Sequence, residues 1–201
     1  MRTFSPLTSR ALLLPRDDVD TDQIIPARFL TVTGRGGLGR VLFADWRYAA
    51  AGGRFADFPL DVPGVDQSRI LVTGRNFGCG SSREHAAWAL LDFGFLAVVS
   101  PSFADIFRTN ALKNGLLPVE LPPEDHQALV ELLARDPEQP VTIDLVSLTV
   151  ALPALPPFRF TIEPFARHCL LQGVDELRFL LDQEELITEY ERGRPGPVLT
   201  R

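Results

Sequence analysis

The run Ile70-Leu71-Val72-Thr73-Gly74-Arg75-Asn76-Phe77-Gly78-Cys79-Gly80-Ser81-Ser82-Arg83-Glu84-His85 narrows the choice of fold more than any other stretch. It opens as a short apolar strand and passes through glycines into a segment with helical period. There Ala86, Ala89, Leu90 and Phe93 recur at i, i+3, i+4 and i+7, one face of a helix. Gly94 stands where a glycine ends a helix, and Phe95 to Val99 reads as the next buried strand. Strand, helix and strand joined this tightly make a parallel βαβ unit, expected to be right-handed. The predicted fold class is α/β.

Elsewhere the pattern is less compact. A first strand is predicted at Arg10 to Leu14, followed by Asp17-Asp18-Val19-Asp20-Thr21-Asp22 and an apolar stop at Ile24-Ile25-Pro26. Thr33 to Gly39 holds four glycines in seven residues, which suits a mobile lid or an inert surface loop. A helix over Ser102 to Asn114, with Phe103, Ile106 and Phe107 buried and Gly115 ending it, precedes a strand over Leu116 to Leu121. Pro122-Pro123 introduces a helix over Glu124 to Ala134. Val141 to Leu152 reads as one or two strands and Phe158 to Ile162 as another. Helices follow from Pro164 to Gly173 and from Val174 to Arg192, and Gly193 to Arg201 reads as a loose or borrowed tail. With no repeat and no linker, residues 1–201 are predicted to form one domain.

The glycine turn admits four chemical readings. Ser81 and Glu84 have the Ser-x-x-Glu spacing of a capping box, in which Ser81 only starts the helix. A phosphate loop needs Gly-x4-Gly-Lys-Ser/Thr, and no lysine is near. A nucleophile elbow needs Gly-x-Ser-x-Gly, a spacing neither Ser81 nor Ser82 has. The fourth reading makes a serine the general base, with Arg83 holding a substrate carboxylate through two parallel hydrogen bonds. A serine alkoxide persists only where preorganised N–H donors and a helix dipole stabilise negative charge. Gly78-Cys79-Gly80 lets several amides converge on one point. Ser81 Oγ cannot cap a helix and take a proton at once, and the residues alone leave both readings open.

Composition excludes other classes. A formal charge of −6, with Lys113 the only lysine, argues against nucleic acid as a partner. No stretch approaches the roughly 20 apolar residues of a membrane span, and the apolar run before Pro15 is too short for a signal peptide, so a cytoplasmic protein is expected. Two cysteines, Cys79 and Cys169, are too few for a disulfide framework, a metal site or an iron–sulfur cluster.

Four segments together, DDVDTDQIIPARFL, GRNFGCGSSREHA, SFADIFRTNALKNGLLP and LLQGVDELRFLL, resemble the small subunits of bacterial 3-isopropylmalate dehydratases, in the aconitase superfamily. The likeness runs from about Arg10 to Leu181, and Leu42 to Tyr48 is similar to the bacterial isopropylmalate branch. It implies a swivelling β/β/α domain, like the last domain of aconitase but made as a separate polypeptide. It further implies a large-subunit partner carrying a [4Fe-4S] cluster, with no cofactor or metal on this chain. The implied reaction removes water from 2-isopropylmalate and re-adds it to give 3-isopropylmalate, in leucine biosynthesis.

By the same resemblance the catalytic base maps onto Ser81, and Asp22 of Thr21-Asp22 orients groups at the site. The substrate, a small dicarboxylic hydroxy acid, is expected to meet Arg83 and Ser82. A second substrate arginine matches Arg35 best, with Arg28 as the fallback. His85, Cys79 and Cys169 read as structural, and Asn110 and Lys113-Asn114-Gly115 as helix termination and packing. Two alternatives stay open: the small subunit of a homoaconitase or citraconate hydratase, and a non-catalytic anion-binding module. The isolated chain could also self-associate.

Overall fold

The computed structural model describes residues 2–30, 34, 36–48, 53, 55, 58–62 and 64–193. Seven strands share one sheet: β1 (Leu7–Leu14), β2 (Ile70–Thr73), β3 (Ala97–Ser100), β4 (Leu117–Glu120), β5 (Pro140–Asp144), β6 (Thr149–Leu152) and β7 (Leu155–Arg159). Their spatial order is β4-β3-β2-β1-β5-β6-β7. β1 to β4 pair parallel, with Leu14 beside Thr73, Val72 beside Val99 and Val99 beside Val119. On the other edge of β1 the sheet turns antiparallel through β5, β6 and β7. β1 thus belongs to both halves.

Alternation along the strands sends side chains to two cores. Leu14, Leu71 and Val98 join one core with Phe43, Phe77, Leu90 and Phe107. That core takes in α1 (Thr21–Ile24), α2 (Ala44–Arg47), α3 (Glu84–Phe93) and α4 (Asp105–Asn114). Ile70, Val72, Ala97, Val99 and Val119 join the second, with Leu129 and Leu133 of α5 (Pro123–Arg135) and Leu170 of α6 (Pro164–Gln172). β2 and β3 are wholly buried, as strands between two helical layers must be.

Several expectations need correction. The helix expected from Ser102 starts at Asp105, because Phe103 first pairs with Phe77 as a β-bridge. Ile106, expected in the core, is 51% exposed, since it lies about 100° round the helix from Phe107, which is buried. The strand expected at Phe158 to Ile162 runs instead from Leu155 to Arg159. Pro156 and Pro157 are tolerated because β7 is an edge strand, where missing N–H groups cost no ladder bond. The helix expected over Val174 to Arg192 is two, α7 (Glu176–Leu181) and α8 (Glu184–Arg192), and neither buries a residue. The expected tail lies, beyond Gly193, outside the described residues.

The glycine-rich run is only partly the loop expected of it. Thr33 and Arg35 lie outside the described residues, but Leu38–Val41 forms a 3-10 turn docked on α3. There the Gly39 N–H donates to Asp92 Oδ2 at 2.7 Å.

Candidate active site

β1 and β2 end side by side, so the segments that leave their carboxyl ends, 15–22 and 74–83, run together. In parallel α/β sheets that edge is where ligands bind. Backbone bonds join the two segments: Asp18 N–H to Arg75 O (2.9 Å), Gly78 N–H to Val19 O (2.7 Å) and Thr21 N–H to Cys79 O (2.9 Å). The Asp17 carboxylate accepts from the Arg75 amide at 2.9 Å and from its guanidinium at 3.1 Å. Two glycines permit this closeness. A Cβ on Gly74 would lie 2.6 Å from the Arg16 carbonyl carbon, and one on Gly78, at φ +77°, would lie 2.2 Å from the Phe107 ring.

The carboxyl end of β3 adds a third clamp. Buried Ser100 Oγ lies 2.7 Å from Gly74 O and 2.6 Å from Ser102 O, and Ser102 Oγ accepts from the Asn76 amide at 2.8 Å. Neither serine was singled out in the sequence. The only signal was position, since both follow a strand predicted to lie beside β2.

Ser81 and Ser82 emerge from this turn exposed. Among the described residues neither hydroxyl makes a hydrogen bond, and no group accepts from the backbone N–H groups of Gly80 to His85. The capping box does not form. α3 begins at Glu84 with Arg83 as its N-cap, which places Ser81 two residues too early to cap it. Glu84 turns instead to Asn114, whose side-chain amide donates to it at 3.1 Å and to Asn110 O at 2.8 Å while accepting from Trp88 Nε1 at 2.8 Å. Asn114 therefore ties the end of α4 to the first turn of α3.

Arg83 lies mostly buried beside Asp22, with side-chain exposures of 14% and 54%. Its Nη2 donates to Asp22 Oδ2 at 2.8 Å, and Nη1 meets Oδ1. This paired fork holds the Asp22 carboxyl below its ordinary value, helped by the Ala27 amide that donates to Oδ1 at 3.2 Å. Asp22 itself is placed by the short helix α1, which Asp20 caps reciprocally with Gln23. Arg28 follows Ala27 directly but faces an exposed partner, Asp45 of α2. Arg35 lies outside the described residues. The structure thus brings together Ser81, Ser82, Arg83 and Asp22, with Arg28 at one remove.

The cysteines and His85 play other parts. Cys79 Sγ lies 3.4 Å from Asp18 O, and burial, with Asp20 and Asp18 beside it, pushes its thiol up. Cys169 is buried on α6, and burial likewise pushes it up. Among the described residues no three His, Cys, Asp or Glu gather to hold a metal ion. His85 packs against Trp88 at a tilt of 50°, with ring centroids 4.6 Å apart. No helix among the described residues is long and apolar enough to cross a membrane.

Comparison with known proteins places this arrangement. A family model described as the aconitase C-terminal domain matches residues 1–124. The chain is 55% identical over 201 residues to the 3-isopropylmalate dehydratase small subunit of Chloroflexus aurantiacus, covering 100% of both. It is 55% identical over 194 residues to the small subunit of Anaeromyxobacter dehalogenans, covering 96% of this chain and 100% of that one. A crystal structure of 3-isopropylmalate dehydratase from Methanocaldococcus jannaschii superposes with a TM-score of 0.67 at 27% identity, covering 92% of this chain and 99% of that one.

Proposed function

The chain belongs to the 3-isopropylmalate dehydratase small subunits, built on the aconitase C-terminal domain, and we propose that Ser81 is the proton-transferring base of the hydro-lyase it forms with a large subunit. One observation carries the reading. An exposed, unbonded Ser81 hydroxyl stands within a run of unpaired backbone N–H groups, beside an arginine already holding a carboxylate. Those N–H groups and the amino end of α3 favour negative charge on the serine oxygen. Asp22 shows the geometry Arg83 offers a carboxylate. Arg83 binds a carboxylate of 2-isopropylmalate, and Ser82 adds a hydroxyl contact.

In the proposed reaction Ser81 takes the proton from the carbon alpha to a carboxylate as the hydroxyl departs from the neighbouring carbon. The alkene and hydroxide remain, with the proton held on Ser81. Addition of that hydroxide to the carbon that lost the proton, with Ser81 returning the proton to the neighbouring carbon, gives 3-isopropylmalate. A [4Fe-4S] cluster on the large subunit would supply a Lewis acid for the departing oxygen. We place the enzyme in the cytoplasm, in the leucine pathway.

The test is reconstitution with the large subunit and assay on 2-isopropylmalate. Ser81→Ala is expected to lower kcat by about 10²–10⁴ while the complex still assembles. Near-normal turnover by that variant would reject Ser81 as the base. Parallel assays on homoaconitate and citraconate separate the related substrates, and an inactive complex of two intact subunits would favour an anion-binding module.

A further inference from the structure

Thr21 is one of few polar residues in the core, 2% exposed, and the proposed mechanism gives it no task. It grips the glycine turn twice. Its N–H donates to Cys79 O, and its hydroxyl donates to Ser81 O, each at 2.9 Å. The two carbonyls are alternate ones, so Thr21 continues the ladder begun by Gly78 N–H to Val19 O. At Thr21 the partner chain enters α1 and its backbone leaves the ladder. The side chain then takes over the next bond. Between the two carbonyls lies Gly80 at φ +89°, where a Cβ would come to 3.5 Å from Thr21 Oγ1.

We infer that Thr21 is a positioning residue for Ser81. The Ser81–Ser82 peptide is planar, so holding the Ser81 oxygen toward α1 sends the Ser82 N–H the opposite way. One hydrogen bond thereby sets both the backbone from which Ser81 Oγ projects and the direction of an unpaired N–H. Gly80, at φ +89° and without a Cβ, leaves the backbone leading into Ser81 free to reorient once the bond is gone. A misplacement of about 1 Å at a reacting group can cost on the order of 10²-fold in rate.

The inference rests on Ser81 being the base, and the experiment keeps the two claims apart. Thr21→Val removes the hydroxyl at nearly constant shape, and Thr21→Ser keeps it. Both are assembled with the large subunit and assayed on 2-isopropylmalate beside Ser81→Ala. Thr21→Val is expected to lower kcat about 10- to 100-fold with KM within about threefold, while Thr21→Ser keeps kcat within about threefold. Should the valine variant fail to assemble, Thr21→Ala takes its place under the same criteria. A hydroxyl-free variant with parental kcat, beside an inactive Ser81→Ala, overturns the inference and leaves the base standing. Equal loss of kcat in the serine and hydroxyl-free variants also overturns it, since packing alone would do that. Full activity of Ser81→Ala removes the base reading instead.

Discussion

Arg83 turns two nitrogens onto one carboxylate, a fork that lysine cannot copy. Arg83→Lys is therefore expected to raise KM for 2-isopropylmalate about tenfold or more in the assembled enzyme, measured by steady-state kinetics. A KM within about twofold of the parent would exclude Arg83 from substrate binding. At this scale the sequence was informative where the site is contiguous. Ser81, Ser82 and Arg83 sit in one motif, and Asp22 stands in a segment whose family likeness was visible. Thr21, Ser100 and Ser102 were not marked, because their contacts reach 60, 26 and 26 residues along the chain. A hydroxyl in a list of residues carries no sign of which distant carbonyl or amide it meets.

Elements were legible in their interiors and misread at their ends. The apolar period of α3 showed in four residues, but its start did not, since Ser-x-x-Glu spacing suits a capping box that the packing refuses. Glu84 is instead tied to Asn114, thirty residues away. The glycine run at 34–39 was a similar trap, for composition cannot separate a glycine that grants freedom from one that permits contact. A Cβ on Gly39 would lie 2.5 Å from the Phe93 nitrogen, whereas one on Gly36 meets nothing within 4 Å. Gly39→Ala is expected to destabilise the fold by about 1–3 kcal/mol in chemical denaturation. Gly36→Ala, as control, is expected to stay within about 0.5 kcal/mol of the parent. Equal effects from the two would mean that the turn does not dock on α3.

For the whole molecule, the parallel half of the sheet was readable as a βαβ unit, whereas β5 to β7 were read as strands without their antiparallel pairing, because alternation marks a strand and not its partner. The two halves are joined at β1, and α5 also ties its layer to the site. His126 of α5, 7% exposed, hydrogen-bonds through Nε2 to Thr73 O at 2.8 Å, at the end of β2 where the glycine turn begins. Burial holds its pKa below the ordinary 6.5, outweighing the Thr73 carbonyl and Asp17, which act the other way. The unfolded chain thus binds a proton more readily than the folded one below about pH 6.5. Stability from the neutral imidazole is complete above that pH and is lost as pH falls toward the folded-state value. Denaturation at pH 7.5 and 5.5 should show a drop in the parent that His126→Gln reduces, and an unchanged drop would exclude His126 as its source.

One consequence concerns birth rather than catalysis. Asp22 and Arg83 bond across 61 residues of chain, and at roughly 5–20 residues per second the ribosome makes them about 3–12 s apart. For most of that interval the aspartates at 17, 18, 20 and 22 have neither Arg75 nor Arg83 to pair with. The pocket therefore cannot close before the segment after the second strand has followed, delivering the cations that the first loop has been waiting for.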